Sequence, residues 1–369
     1  MNFNKIKSAA INKSMKFINE RRGWTTDRKI IVIESDDWGS IRMPNRYVYN
    51  NLLKSGIRVD KCHYCKYDSL ASKTDLEHLY SILIKYKDKN GNHPIITANT
   101  IVANPDFKKI EESNFESYFY ETFLKTIETY PNHNFDLWKE GVENKIFYPQ
   151  SHGREHLNIH RWMKALQFNS KEVHLGFKNN FFGLSTSISK EKNPSFMAAL
   201  DSADENFINE VLIDGLVIFE DIFKYKSESF IAPNYIWSKA NELALKKRGV
   251  NYLQGTFVQK LPSKRKIYHY LGEKNKTSHI YLTRNAFFEP SELKTKDWVN
   301  NCLKDVDKAF NLNKPAIIGS HRVNYIGEIF EENRMKNLKL LDELLFNIIK
   351  KWPNVEFMTS DKLGKIITS

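Results

Sequence analysis

KIIVIESDDWG, residues 29 to 39, runs from four consecutive β-branched residues into two adjacent carboxylates, Asp36 and Asp37. An unbroken apolar run of this length suits a strand buried on both faces, as in a parallel sheet. Two carboxylates side by side at a strand end are costly unless a cation or a proton neutralises part of their charge. The pairing is useful when one aspartate ligates a metal and its neighbour takes up a proton.

Outward from this strand, short apolar runs alternate with helical stretches, the pattern of an α/β fold with mainly parallel strands. Further strands are expected at 94–102, 145–149, 174–177, 228–232, 250–253, 279–283, 315–319 and 355–359. Helices are expected at 74–87 with Thr74 as N-cap, at 116–129 and at 205–223. Another runs from Ser238 as N-cap to Gly249, and two more lie at 298–310 and 335–351. Roughly seven to nine strand-plus-helix units match a closed or nearly closed (β/α) barrel. No Pro/Gly/Ser-rich linker divides the chain, so a basic N-terminal helix or extension over 1–28 and one barrel domain over 29–369 are expected, with 260–278 as a basic loop insertion. Asp36-Asp37, His152, Asn234 and His321 all fall at the C-terminal ends of separate expected strands. In a parallel barrel those ends meet on one face, where active sites are built.

His152-Gly-Arg-Glu-His156 follows the strand at 145–149. Histidines four apart on a helix share a face and can reach one metal ion, and His160 lies one more turn along. The same residues spell HxxEH, the signature of a metalloprotease with Glu155 as general base. That alternative leaves Asp36, Asp37 and His321 without a task. Cys62-His-Tyr-Cys65 resembles half a zinc knuckle, but no second pair follows at finger spacing, and two free thiols in a loop are expected.

The order of these motifs resembles the polysaccharide deacetylases, carbohydrate esterase family 4, over about Lys29 to Tyr325. That family has Thr-Phe-Asp-Asp-Gly, His-Ser/Thr-x-x-His, Arg-x-Pro-Tyr and a late apolar strand ending in His. The resemblance implies a distorted (β/α) barrel, with Asp36 as general base and Asp37, His152 and His156 as metal ligands. It further implies that the backbone N–H at Asn234 helps bind the oxyanion and that His321 is the general acid. Zinc is the ion expected for a His-His-Asp site. The sequence departs from the family at Ile231, where the motif arginine is missing, and Arg284 and Arg322 are the candidates to replace it. Trp38 stands where the family has glycine and is expected to reshape the mouth. Asp297-Trp298 is a tempting match to a fourth motif, although it opens a helix. Trp38, Asn99 and Tyr235, with the two arginines, are candidates for substrate contact. The ending 352–364 looks like the close of deacetylase-like proteins from bacterial surface-polysaccharide loci.

The composition, 41% hydrophobic and 13% aromatic over 369 residues, is that of a globular protein with a large core. No run of 18 apolar residues exists, so no transmembrane segment is expected, and the basic N-terminus lacks the apolar region of a secretory signal. Three cysteines suit a reducing cytoplasm. The net charge of +12 suits an anionic or lipid-diphosphate-linked glycan handled in the cytoplasm or at the inner membrane face. It is not gathered into a nucleic-acid motif. Deacetylation of an acetamido sugar is the expected activity. A glycoside hydrolase or other metal-dependent hydrolase on the same barrel, and a silent glycan-binding barrel, are the alternatives.

Overall fold

The computed structural model describes residues 14–130, 135–191 and 196–369. Nine strands build one sheet: β1 (Lys29–Trp38), β2 (Ile96–Thr100), β3 (Phe147–Ser151), β4 (Ser229–Ile231), β5 (Tyr252–Gly255), β6 (Ile280–Thr283), β7 (Ala286–Phe287), β8 (Ala316–His321) and β9 (Val355–Phe357). Their order is β6-β5-β4-β3-β2-β1-β8-β7, with β9 on the first residues of β1, and every pairing is parallel. Parallel neighbours need crossovers, and helices such as Lys73–Leu83, Glu205–Phe223, Trp298–Asn311 and Glu331–Lys351 supply them.

The two ends of this order are consecutive pieces of chain, separated only by Arg284 and Asn285. The Arg284 N–H donates to the Gly255 carbonyl of β5 at 2.7 Å, and the Asn285 N–H donates to Ile317 of β8 at 3.1 Å. A single kinked segment thus joins β5 to β8 and rounds the sheet into a distorted (β/α) barrel. Packing follows the same geometry. Ile30 and Val32 share a cluster with Ile317 of the neighbouring β8 and with Tyr252 and Leu282 from strands across the ring. Ile31 and Ile33 instead pack with Leu76, Leu79, Leu341 and Leu344 of the surrounding helices. Alternation along β1 therefore separates interior from outer layer, and Glu34 and Asp36 continue the interior side.

Several expected elements differ in detail. The run 174–177 belongs to a helix, Lys171–Phe177, because a short apolar run does not by itself distinguish strand from helix. The helix expected from 116 starts at Phe123, since Tyr120–Thr122 pairs antiparallel with Ala103–Pro105. Ser72, not Thr74, caps the helix Lys73–Leu83, in a capping box with Asp75. Asp297 is the N-cap of the helix Trp298–Asn311 and takes no part in the site. The insertion 260–278 holds one arm of a hairpin, Val258–Lys260 against Lys266–Tyr268.

Of the expected N-terminal helix, residues 1–13 lie outside the described residues. Residues 14–21 are helical and docked: Asn19 Nδ2 donates to the His269 carbonyl at 3.3 Å, and Glu20 pairs with Lys308 at 2.6 Å. No helix among the described residues is long and apolar enough to cross a membrane.

Candidate active site

In a regular strand Asp36 and Asp37 would point to opposite faces. Here the register of β1 against β2 slips between Ser35 and Trp38, and Asp37 takes φ 71°. That conformation costs a non-glycine residue about 1–2 kcal/mol. It brings both carboxylates into one cavity of about 330 Å³ at the C-terminal end of the barrel. The slip also corrects the expectation for Trp38. It returns to the core at 1% exposure, edge-on to Phe147 at 4.7 Å, with Nε1 donating to Ser35 Oγ at 2.9 Å. Trp38 buttresses the bulge from below and does not reach the mouth.

His152 and His156 reach the same cavity from a loop, not from the first turns of a helix, because Asn158 caps a helix that begins only at Ile159. Backbone hydrogen bonds hold this loop to the end of β2: His152 N–H to Thr100 at 2.9 Å, and Ala103 N–H to Arg154 at 2.7 Å. Ligand atoms of Asp37, His152 and His156 lie within 4.8 Å of one another, all three residues buried. The two Nε2 atoms stand 3.3 and 3.4 Å from Asp37 Oδ1. His152 Nδ1 donates to the Ile231 carbonyl at 2.9 Å, which turns Nε2 towards Asp37. Burial brings the His156 pKa down to about 3. Two imidazole nitrogens and a carboxylate oxygen converging in a buried cavity are a donor set that fits a divalent ion.

His160 is not a third histidine of this group. It is exposed and stacks on Phe207 at 4.1 Å, because the loop ends and the helix turns away before it. His160→Ala is expected to leave the metal content unchanged by elemental analysis. Glu155 is not placed as a base either: it is 3% exposed and forks onto Arg154 at 2.6 and 2.8 Å, away from the histidines.

Of the two candidate arginines, Arg284 is the one that reaches Asp36. Arg284, in the kink between β6 and β7, donates to Asp36 at 2.6 and 2.8 Å and to Glu34 at 2.6 Å. Asn99 Nδ2 donates to Asp36 at 2.8 Å and to Gln254 at 2.8 Å, so Asn99 is a fully buried support and not a substrate contact. Burial opposes ionisation of Asp36, but the charge and hydrogen bonds of Arg284, with His321 beyond, outweigh it and hold the carboxyl at about 2. Arg322 is a structural residue. It is fully buried and binds Asp68 at 3.0 Å and the Ser40 carbonyl at 2.6 Å.

His321 Cα pairs with Asp36 across β1 and β8, which sets its Nε2 3.7 Å from Asp36 Oδ2. Its Nδ1 is 2.6 Å from Glu289, whose other oxygen accepts from Asn324 at 2.7 Å. Burial disfavours the imidazolium, yet Glu289, and less so Asp36 and Asp37, raise the pKa to about 9. Asn234, exposed at φ 57°, and Tyr235, whose hydroxyl accepts from Arg284 at 3.2 Å, close the β4 side of the cavity.

Sequence reasoning missed Glu289, Arg42 and Tyr64. Arg42 is a buried guanidinium 3.4 Å from Asp37 and over the Tyr64 ring, which in turn meets His321 edge-on at 5.3 Å. Phe288-Glu289-Pro290 directly after a strand was the one available signal for Glu289.

No family profile matches the sequence, and no curated protein does. Solved structures that superimpose on this chain include two described as polysaccharide deacetylases. A candidate polysaccharide deacetylase from Mycobacterium smegmatis does so with TM-score 0.48 and 9% identity, over 94% of this chain and 93% of that one. A probable polysaccharide deacetylase from Pseudomonas aeruginosa PAO1 does so with TM-score 0.45 and 10% identity, over 92% and 91%. A 4-alpha-glucanotransferase from Thermococcus litoralis gives TM-score 0.48 and 8% identity over 91% of this chain but only 40% of its own.

Proposed function

We propose that this chain is a metal-dependent hydrolase that removes the acetyl group from an acetamido sugar of a polysaccharide or glycan precursor. One observation carries the reading. An ionised carboxylate, Asp36, and a protonated imidazole, His321, flank the Asp37-His152-His156 cluster in a single cavity. Environments that push two titratable groups apart assign them opposite proton roles.

Asp37, His152 and His156 would hold the divalent ion, with zinc expected for two imidazoles and one carboxylate. Bound there, it would supply Lewis-acid polarisation and a more acidic water. Asp36, oriented by the Arg284 fork, takes the proton of the attacking water. The backbone N–H at Asn234 would be the donor to the developing oxyanion. His321, kept protonated by Glu289, gives its proton from Nε2 to the departing amine, and acetate and the free amino sugar leave. Tyr235 offers an aromatic wall against which a sugar ring can pack.

Acetate release from N-acetylated oligosaccharides by the metal-loaded protein tests the reading. Release that stops in Asp36→Asn supports it, whereas metal retention without release from any acetamido sugar would sink deacetylation.

The pH profile is a second test. His321 has to be protonated to act as acid, so the rate falls as pH rises through about 9. Glu289 is the largest cause of that raised value, so Glu289→Gln moves the alkaline limb down towards the ordinary 6.5. The same linkage applies to stability: the contribution of the His321–Glu289 pair is complete below about 6.5 and is lost through about 9. An alkaline limb unmoved by Glu289→Gln would remove His321 from the acid role.

A further inference from the structure

Cys62-His-Tyr-Cys65 takes no part in the proposed hydrolysis, yet both cysteines line the same cavity. Both are free thiols: Cys62 is half-buried and Cys65 is 1% exposed. Cys62 directly precedes the short helix His63–Tyr67, so the two cysteines share the one turn at its start. The Cys65 S–H donates to the Gly183 carbonyl at 3.8 Å.

The two thiols are unequal. The neighbouring Cys65 thiol outweighs burial and, with backbone N–H groups and the charge of Arg42, brings Cys62 down to about 6. The same pairing with Cys62, and burial, push Cys65 up. A metal site would need a third donor, and among the described residues the cluster of three ligand atoms is Asp37, His152 and His156. An accessible, acidic thiol with a buried, protonated partner one turn away is instead the arrangement of an attacking and a resolving cysteine.

We propose that Cys62 and Cys65 form a reversible oxidation site, closing an internal disulfide on the wall of the cavity in exchange with a small-molecule disulfide. The Cys62 thiolate attacks one sulfur of that disulfide, forms a mixed S–S bond and expels one thiolate. Cys65 then loses its proton, attacks the Cys62 sulfur, breaks the mixed bond and releases the second thiol. Two electrons pass from the cysteine pair to the small disulfide, and the protons end on its two thiols.

Oxidation removes the thiolate charge near Arg42 and ties the turn that carries Tyr64. That ring lies beneath Arg42 at 5.1 Å and against His321 at 5.3 Å, so turnover changes with the redox state. This consequence rests on the hydrolase reading; the disulfide itself does not.

The test treats the full chain with oxidised glutathione and reads intact mass and peptide maps. A loss of two hydrogens, an internal bond within the peptide containing 62–65 and reversal by dithiothreitol are expected. Cys65→Ser should stop at a glutathione adduct on Cys62, and Cys62→Ser should carry no adduct at Cys65. Iodoacetamide at neutral pH should label Cys62 at least about tenfold faster than fully buried Cys302. Wild-type protein that remains a dithiol, or that halts at a stable glutathione adduct, overturns the proposal whatever its hydrolytic activity.

Discussion

Asp37→Ala and His152→Ala are each expected to lose the bound metal and to lower turnover by at least about a thousandfold. The magnitude follows from the several kcal/mol of transition-state charge stabilisation a Lewis acid provides, at about 1.36 kcal/mol for each factor of ten. Both residues are needed because the three donors converge within 4.8 Å, and removing one leaves a two-ligand site that binds weakly. His152 carries a second task, since its Nδ1–H to the Ile231 carbonyl fixes the tautomer that presents Nε2 inward. Elemental analysis of wild type and both variants, followed by acetate assays, decides the matter. Full metal content in both variants would dismantle the centre. Metal loss without loss of activity would show that the ion is not part of the chemistry.

Arg284→Met should destabilise the protein by about 3–5 kcal/mol, because it strands two buried carboxylates, Glu34 and Asp36, without their shared countercharge. Both are essentially inaccessible, at 0% and 3% exposure. The pH dependence identifies the cause. In the wild type, Asp36 contributes stability that is present above its ordinary 3.8 and lost as pH falls towards about 2. In the variant, burial is no longer opposed, the carboxyl pKa rises above 3.8, and protonation on acidification relieves the strain. The stability difference between the two proteins therefore shrinks as pH is lowered from 7 towards 4. Denaturant unfolding across that range measures it. Arg284→Lys keeps the charge but not the fork, and should fall between the two in stability and in activity. A difference independent of pH would mean that Arg284 acts by packing alone.

Arg284 also shows where local reading ends. Its sequence surroundings, Thr283-Arg-Asn285, resemble any polar strand end. Its partners lie 248 and 250 positions away, and only closure of the barrel brings them together. The same closure separates it from Arg322, an equal candidate in sequence that ends up buried against Asp68. Glu289 and Arg42 were hidden for this reason: each stands on a loop, where spacing predicts no direction for a side chain, and Tyr64 stands on a helix of five residues, too short to show a period.

Periodicity and strand-end polarity were enough to read the parallel architecture, the first strand and the positions of Asp36, Asp37, His152, His156 and His321. Those features are local, set by alternation of apolar and polar residues along short segments. Tertiary structure decided which of the polar residues meet. A slip in pairing turned two adjacent carboxylates to one side and sent Trp38 into the core. A loop where a helix was expected brought in two histidines and left His160 on the surface. Neither is legible locally, because register and loop direction are set by hydrogen bonds to strands distant in sequence.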